Sequence, residues 1–334
     1  MTDAPICVIG AGSWGTALAI QFARVGRITR LWGRDIAQLQ RMQADRCNAR
    51  YLPDAMFPDA LQIIIDLPQA LADCSDVLIA APSHALRSVL QQLQPLLATG
   101  TRLCWATKGF ELHSGKLPHQ VAGDVLGEQR AMAVLSGPTF AREVGAGLPT
   151  AMTVAANHAD YAMALAKSIS GQNFRAYTST DIVGVEVGGA VKNVLAIGTA
   201  ISDGLGFGAN TRVALITRGL KEMTRLGIAL GARAETFMGL AGLGDLVLTC
   251  TDNQSRNRRF GLAFAKGIGA AQAQQEIGQV VEGYAASQAV LEVANQHQVE
   301  MPICRQVYRM LHEGLGPQDA VKELMSREIK PEFE

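Results

Sequence analysis

Six residues near the amino end, Gly10-Ala11-Gly12-Ser13-Trp14-Gly15, limit the folds open to this 334-residue chain. They follow the apolar run 6–9, which reads as a strand, and open the helical periodicity of 14–25. A G-x-G-x-x-G pattern is weak alone and specific in that strand–turn–helix setting. Its first glycine permits a tight turn, the second lets backbone approach a pyrophosphate, and the third lets helix pack on sheet. The N–H groups and dipole at the helix start favour an anion. Gly10, Gly12, Ser13, Trp14 and Gly15 are therefore candidate cofactor contacts on a doubly wound α/β sheet.

The next 165 or so residues keep that texture. Strands are expected at 28–32, 62–65, 77–81, 102–106, 132–135, 151–155 and 174–177, with helices at 36–44, 85–97 and 159–169. Such alternation indicates βα units on a parallel sheet. From residue 182 the strands stop, and helical periodicities follow at 183–200, 212–230, 259–266, 284–296 and 302–312. A boundary is expected near residue 180, with 1–180 binding a dinucleotide and an all-α 181–334 holding substrate. The length suits two cores. The tail 327–334 reads as a frayed, solvated end.

Charge and cysteine usage narrow the partners. Thirty Lys and Arg balance thirty Asp and Glu, so no global field attracts nucleic acid or an anionic membrane. Residues 1–9 lack the pattern of a signal peptide. No stretch reaches the ~18 charge-free apolar residues of a membrane span; 190–200 comes closest and contains Lys192 and Asn193. The six cysteines form no C-x-x-C pair and the six histidines no H-x-x-x-H pair, so no metal site is expected. The expected compartment is the cytoplasm.

Candidate site residues cluster after strand ends, where open α/β sheets bind ligands. Past the second strand stands Arg34, where an acid for the ribose of NAD is usual; a guanidinium there favours the 2′-phosphate of NADP. Asp35 reads equally as a ribose ligand or as the N-cap of the next helix. His84 reads as a turn or helix-start histidine. Lys108 follows the fifth strand and reads evenly as an anion or carbonyl ligand and as a surface lysine. Ser136-Gly137-Pro138-Thr139-Phe140-Ala141 is a strand-to-helix turn whose backbone N–H groups suit substrate or nicotinamide.

In the helical half, Lys192 lies among small and apolar residues, a setting that lysine rarely occupies for packing alone. Burial, or a second cation such as Lys108, would lower its pKa and make it a proton acceptor; the other reading is a lysine that snorkels to solvent from a helix edge. Asp245 stands among apolar neighbours and needs a donor such as Lys192, unless it is a helix N-cap. Ser255-Arg256-Asn257 offers hydroxyl, guanidinium and amide groups at a helix start, a cradle for an oxyanion or phosphate; a solvated charge run is the other reading, and it does not explain the Ser and Asn that flank Arg256. The run 279–283 reads by itself as a loop before a helix.

Taken together, the sequence resembles the bacterial NAD(P)-dependent glycerol-3-phosphate dehydrogenases over nearly its whole length. The resemblance rests on GAGSWGTALA (10–19), ATKGFE (106–111), SGPTFA (136–141) and VKNVLAI (191–197). It continues through NTRVALITRGLKEM (210–223), GLAGLGDL (239–246), SRN (255–257) and VVEGY (280–284). Residues 199–202 depart from the commoner wording, and Phe110 replaces a frequent aliphatic residue.

The resemblance implies a Rossmann-like domain followed by a helical one, and interconversion of dihydroxyacetone phosphate and sn-glycerol 3-phosphate with NADP(H) or NAD(H). It further implies supply of glycerol 3-phosphate to glycerophospholipid synthesis, and a homodimer. It makes Lys192 the catalytic proton acceptor, oriented by Asp245, and has Lys108 touch both cofactor and substrate. Gly137, Thr139, Asp245, Ser255, Arg256 and Asn257 fall on substrate positions. Ser13, Trp14, Arg34, Ala141, Val280 and Glu282 fall on cofactor positions, and Arg256 lies near both. Two other readings share the glycine loop. A different β-hydroxyacid-type dehydrogenase would not need Ser255-Arg256-Asn257, and a non-catalytic NADP(H) sensor would not need Lys192 or Asp245.

Overall fold

Alternate residues of the first strand, β1 (Ile6–Ile9), enter opposite apolar layers. Ile6 and Val8 pack with Leu18 and Phe22, whereas Cys7 and Ile9 pack with Leu90 and Trp105. A strand covered on both faces can be apolar throughout, which explains the unbroken run in the sequence. The computed structural model describes residues 4–329 and 331–332.

The remaining strands are β2 (Thr29–Trp32), β3 (Cys47–Asn48), β4 (Leu52–Met56), β5 (Leu61–Ile63), β6 (Asp76–Ile79), β7 (Arg102–Trp105), β8 (Met132–Ser136), β9 (Thr150–Ala156) and β10 (Phe174–Ser179). Between them lie α1 (Ser13–Arg24), α2 (Ile36–Asp45), α3 (Leu67–Leu71), α4 (Ser83–Leu93), α5 (Pro118–Leu126), α6 (Ala141–Ala146) and α7 (Ala159–Ile169). Eight strands form one sheet in the order β10-β9-β8-β7-β6-β1-β2-β5. From β1 the chain moves one way to β2, and from β6 the other way to β7, so a crevice opens above the carboxyl ends of β1 and β6.

The sheet is mixed rather than wholly parallel. β9 pairs antiparallel with β8, and β10 then runs parallel to β9. The cause is α6, a six-residue helix. It spans only about 9 Å, too little to carry the chain back beside a strand, so β9 starts from the carboxyl end of the sheet. The β3–β4 hairpin, which the periodicity did not suggest, stands apart from this sheet.

From residue 182 the described chain is helical. It comprises α8 (Ile182–Gly204), α9 (Gly208–Ala229), α10 (Asp245–Thr251), α11 (Arg256–Ala265), α12 (Ala270–Ile277), α13 (Glu282–Gln296), α14 (Pro302–His312) and α15 (Pro317–Met325). By length and composition α8 alone among the described helices could cross a membrane, yet nearly all of it is buried. Its Val191, Val194, Leu195 and Ile197 form the centre of an apolar cluster with Met223, Phe237, Phe260 and Val290. Each fully buried side chain of this size contributes about 1.5–3 kcal/mol, so α8 is held as the core helix of this half. Of the tail 327–334, Lys330, Phe333 and Glu334 lie outside the described residues; Arg327 pairs with Glu300 at 3.1 Å.

Candidate active site

The glycine turn is built for backbone rather than side chains. Gly10 has φ +121°, and a Cβ there would stand 2.6 Å from the Ala80 carbonyl oxygen. A Cβ on Gly15 would lie 1.9 Å from the Gly10 oxygen, whereas above Gly12 there is open space. No side chain caps α1, so its first N–H groups face the crevice without an internal partner. The Ala11 carbonyl is turned away from it, accepting from Gln38 Nε2 at 2.9 Å and Asn48 Nδ2 at 3.1 Å. Because a trans peptide sets N–H opposite C=O, those two bonds aim the Gly12 N–H outward. Nothing in the sequence around Gln38 or Asn48 marks them for this part; only the fold brings them under the turn. This cradle fits a dinucleotide pyrophosphate.

Around it, Trp14 packs beside the first apolar cluster, as Ala141 does at the start of α6, and the Trp14 indole N–H is buried without a partner. Asp35 proves to be the N-cap of α2, accepting from Gln38 N at 2.9 Å. Arg34 beside it is exposed and has no ion-pair partner among the described residues. His84 is exposed in the first turn of α4.

Across the crevice the helical half supplies a buried charge cluster. Asp245 is the first residue of α10 and is 1% exposed. Its Oδ2 accepts from Lys108 Nζ at 2.7 Å, and its Oδ1 accepts from Lys192 Nζ. Lys192 also donates to Thr249 Oγ1 at 3.0 Å, and Thr249 in turn donates to the Asp245 carbonyl at 2.6 Å. Burial pushes the Lys192 ammonium down to about 8, with Lys108 adding to the effect against the pull of Asp245. Burial also opposes the charge on Lys108, but Asp245 outweighs it and holds Lys108 above the usual lysine value. Burial likewise opposes the Asp245 carboxylate, and the two ammonium groups keep it below the usual range. Two cations on one carboxylate leave a buried site with one positive charge over, which suits an oxygen that gains negative charge.

Small residues let Lys108 reach this point. A Cβ added at Gly189 would meet the Lys108 stem at 3.4 Å and Ser136 Oγ at 3.6 Å. Ser136 is buried at the end of β8, and its hydroxyl has no partner among the described residues. Gly137 follows with φ +149°, its Cα side pressed against Met152, and Thr139 Oγ1 donates back to the Gly137 carbonyl at 3.2 Å.

A second network flanks the first through Asn193, which the sequence reading named only as a neighbour of Lys192. Asn193 Oδ1 accepts from Asn257 Nδ2 at 2.9 Å, and its Nδ2 donates to Glu282 Oε2 at 3.3 Å. Asn257 Oδ1 accepts from Gly283 N at 2.9 Å, which ties α11 to α13. Glu282 Oε1 lies 4.0 Å from Arg256 Nη2, and Val280 is half-exposed nearby in the chain. Ser255 is the N-cap of α11, its Oγ accepting from Arg258 N at 3.2 Å. The hydroxyl and the amide of the 255–257 run are thus engaged in shaping the helix start, while Arg256 stays partly exposed beside Glu282.

Residues 5–162 match the family described as NAD-dependent glycerol-3-phosphate dehydrogenase N-terminus, and residues 181–322 match its C-terminus counterpart. The glycerol-3-phosphate dehydrogenase [NAD(P)+] of Shewanella baltica is 56% identical over 331 residues, covering 99% of this chain and 98% of that protein. That of Sodalis glossinidius is 55% identical over the same shares. The crystal structure of glycerol-3-phosphate dehydrogenase from Coxiella burnetii superposes with a TM-score of 0.94 at 50% identity, covering 97% of this chain and 99% of that one. Over both halves, the chain belongs to the NAD-dependent glycerol-3-phosphate dehydrogenase family.

Proposed function

We propose that this NAD(P)-dependent oxidoreductase interconverts dihydroxyacetone phosphate and sn-glycerol 3-phosphate with Lys192 as its proton carrier. The observation that carries the reading is one buried carboxylate, Asp245, shared by Lys108 and Lys192. Bound NAD(P)H supplies the hydride that ends on C2 of the substrate. In reduction, Lys192 gives its ammonium proton to the C2 oxygen; in oxidation, its neutral amine takes the hydroxyl proton. Lys108 holds that oxygen with a second positive charge, and Asp245 keeps both lysines aimed at it.

Arg256 and the N–H groups at the start of α11 hold the phosphate and so place C2. Gly137 and Thr139 complete the substrate side. The glycine turn with Ser13 and Trp14, together with Arg34, Ala141, Val280 and Glu282, binds the cofactor, and the unpaired Arg34 favours NADPH. The reading divides the chain at residue 180 into dinucleotide-binding and substrate-binding domains. A cytoplasmic homodimer feeding glycerophospholipid synthesis completes it.

Following NADPH and then NADH at 340 nm with dihydroxyacetone phosphate tests the activity; NADPH binding without turnover would leave a sensor instead. Arg256→Ala removes a charge-assisted hydrogen bond of about 1.5–3 kcal/mol, so KM for dihydroxyacetone phosphate is expected to rise roughly ten- to hundredfold. An unchanged KM would favour a different β-hydroxyacid-type substrate.

A further inference from the structure

We propose that Glu186 is a positioning residue for the reaction, fixing the segment that carries Lys108 against the helix that carries Lys192. Glu186 lies in α8, and its side chain is fully buried. Every hydrogen bond described for its carboxylate comes from the sheet half of the molecule. Oε1 accepts from Trp105 Nε1 at 2.8 Å and from the His119 backbone N–H at 3.0 Å, and Oε2 meets His119 Nδ1 at 2.5 Å.

Trp105 is the last residue of β7, and His119 lies in the first turn of α5. One carboxylate therefore grips both ends of the connection 106–118, and Lys108 sits within that connection. Lys192 lies six residues further along α8, about 9 Å down the axis. The clamp thus sets the spacing at which both lysines reach the two oxygens of Asp245. The middle of the connection is held separately, by Glu111 on Arg87 at 2.8 Å.

A packing role alone does not account for a carboxylate here. Taking that charge out of water costs several kcal/mol, and the surrounding contacts of Ile182, Val185, Trp105 and Val121 are apolar. An apolar side chain would fill the space without choosing a register. Three directed bonds to both ends of one connection do choose it.

The inference rests on Lys108 and Lys192 acting in the reaction, which the wild-type NADPH assay tests by itself. In the full-length enzyme, Glu186→Gln keeps the volume and an acceptor for Trp105 but removes the charge that faces His119. Expected are a fall in kcat of about tenfold or more and an upward move of the pH midpoint of kcat/KM for glycerol 3-phosphate oxidation. The midpoint rises because Lys108, on receding, stops disfavouring the charge on Lys192. The other groups facing that amine, Asp245, Thr249 and Cys250 from α10, stay in place, as does Glu282 of α13 toward Lys108. His119→Gln cuts the same clamp from its other side and is expected to move both readouts the same way.

Parental kcat with a parental midpoint in folded Glu186→Gln overturns the proposal. So does a fall in kcat with an unmoved midpoint, which is the signature of a merely structural role. Should Glu186→Gln fail to fold, the same two readouts on His119→Gln decide by the same criteria. A wild-type enzyme without turnover would defeat the assignment of the lysines, not the clamp.

Discussion

Lys192→Ala is expected to lower kcat for dihydroxyacetone phosphate reduction by about 10²–10⁴-fold, the usual contribution of a positioned proton carrier. NADPH binding should stay close to parental, because Lys192 bonds to Asp245 and Thr249 and not to the glycine turn. Stopped-flow turnover and a fluorescence titration of NADPH separate the two effects. In the parental enzyme the same amine is expected to set the pH dependence. With Lys192 near 8, oxidation of glycerol 3-phosphate needs the neutral form and rises through that pH, whereas reduction needs the ammonium and falls through it. A variant with parental kcat, or two directions that share one pH trend, would remove Lys192 from the chemistry.

Asp245→Asn is expected to act on stability and on rate together. It strips the shared partner from two buried ammonium groups, and breaking a buried pair in this way costs about 3–5 kcal/mol. The sign of the pH effect follows from which state is charged. In the variant the Lys192 ammonium loses its carboxylate partner and keeps only the Thr249 hydroxyl, so its pKa falls below the parental value of about 8. Below that new value both lysines are charged and the loss of stability is greatest; it shrinks as pH rises and Lys192 becomes neutral. Turnover drops by about 10²-fold through misplacement of the amine, and the midpoint for oxidation moves to lower pH. Melting curves across pH, paired with kcat profiles, check both; a destabilisation that grows with pH would contradict the buried two-cation arrangement.

What could be read in advance divides along a physical line. Structural features that follow from immediate neighbours were legible: the glycine turn of 10–15 between a strand and a helix, the burial of Lys192 in an apolar helix, and the need of Asp245 for a cation. Roles that depend on partners far along the chain were not. Gln38 and Asn48 reach the Ala11 carbonyl from 27 and 37 residues away, and Asn193 joins Asn257 across 64. Asp35 carried two readings until the bond from Gln38 N settled it as a cap. The reversal of β9 was hidden for another reason. A strand's apolar pattern is the same in either direction, and only the shortness of α6 tells which way the chain returns.

The burial of α8 has a consequence for how the protein is made. Most of its cover comes from later helices, and α14, which packs on it, ends about a hundred residues after α8 does. At synthesis rates of roughly 5–20 residues per second, the apolar stretch Ile182–Gly204 waits on the order of 5–20 s before its last shield emerges. During that interval the helix that carries Lys192 lacks part of its apolar cover, which leaves it open to chaperone capture and to aggregation.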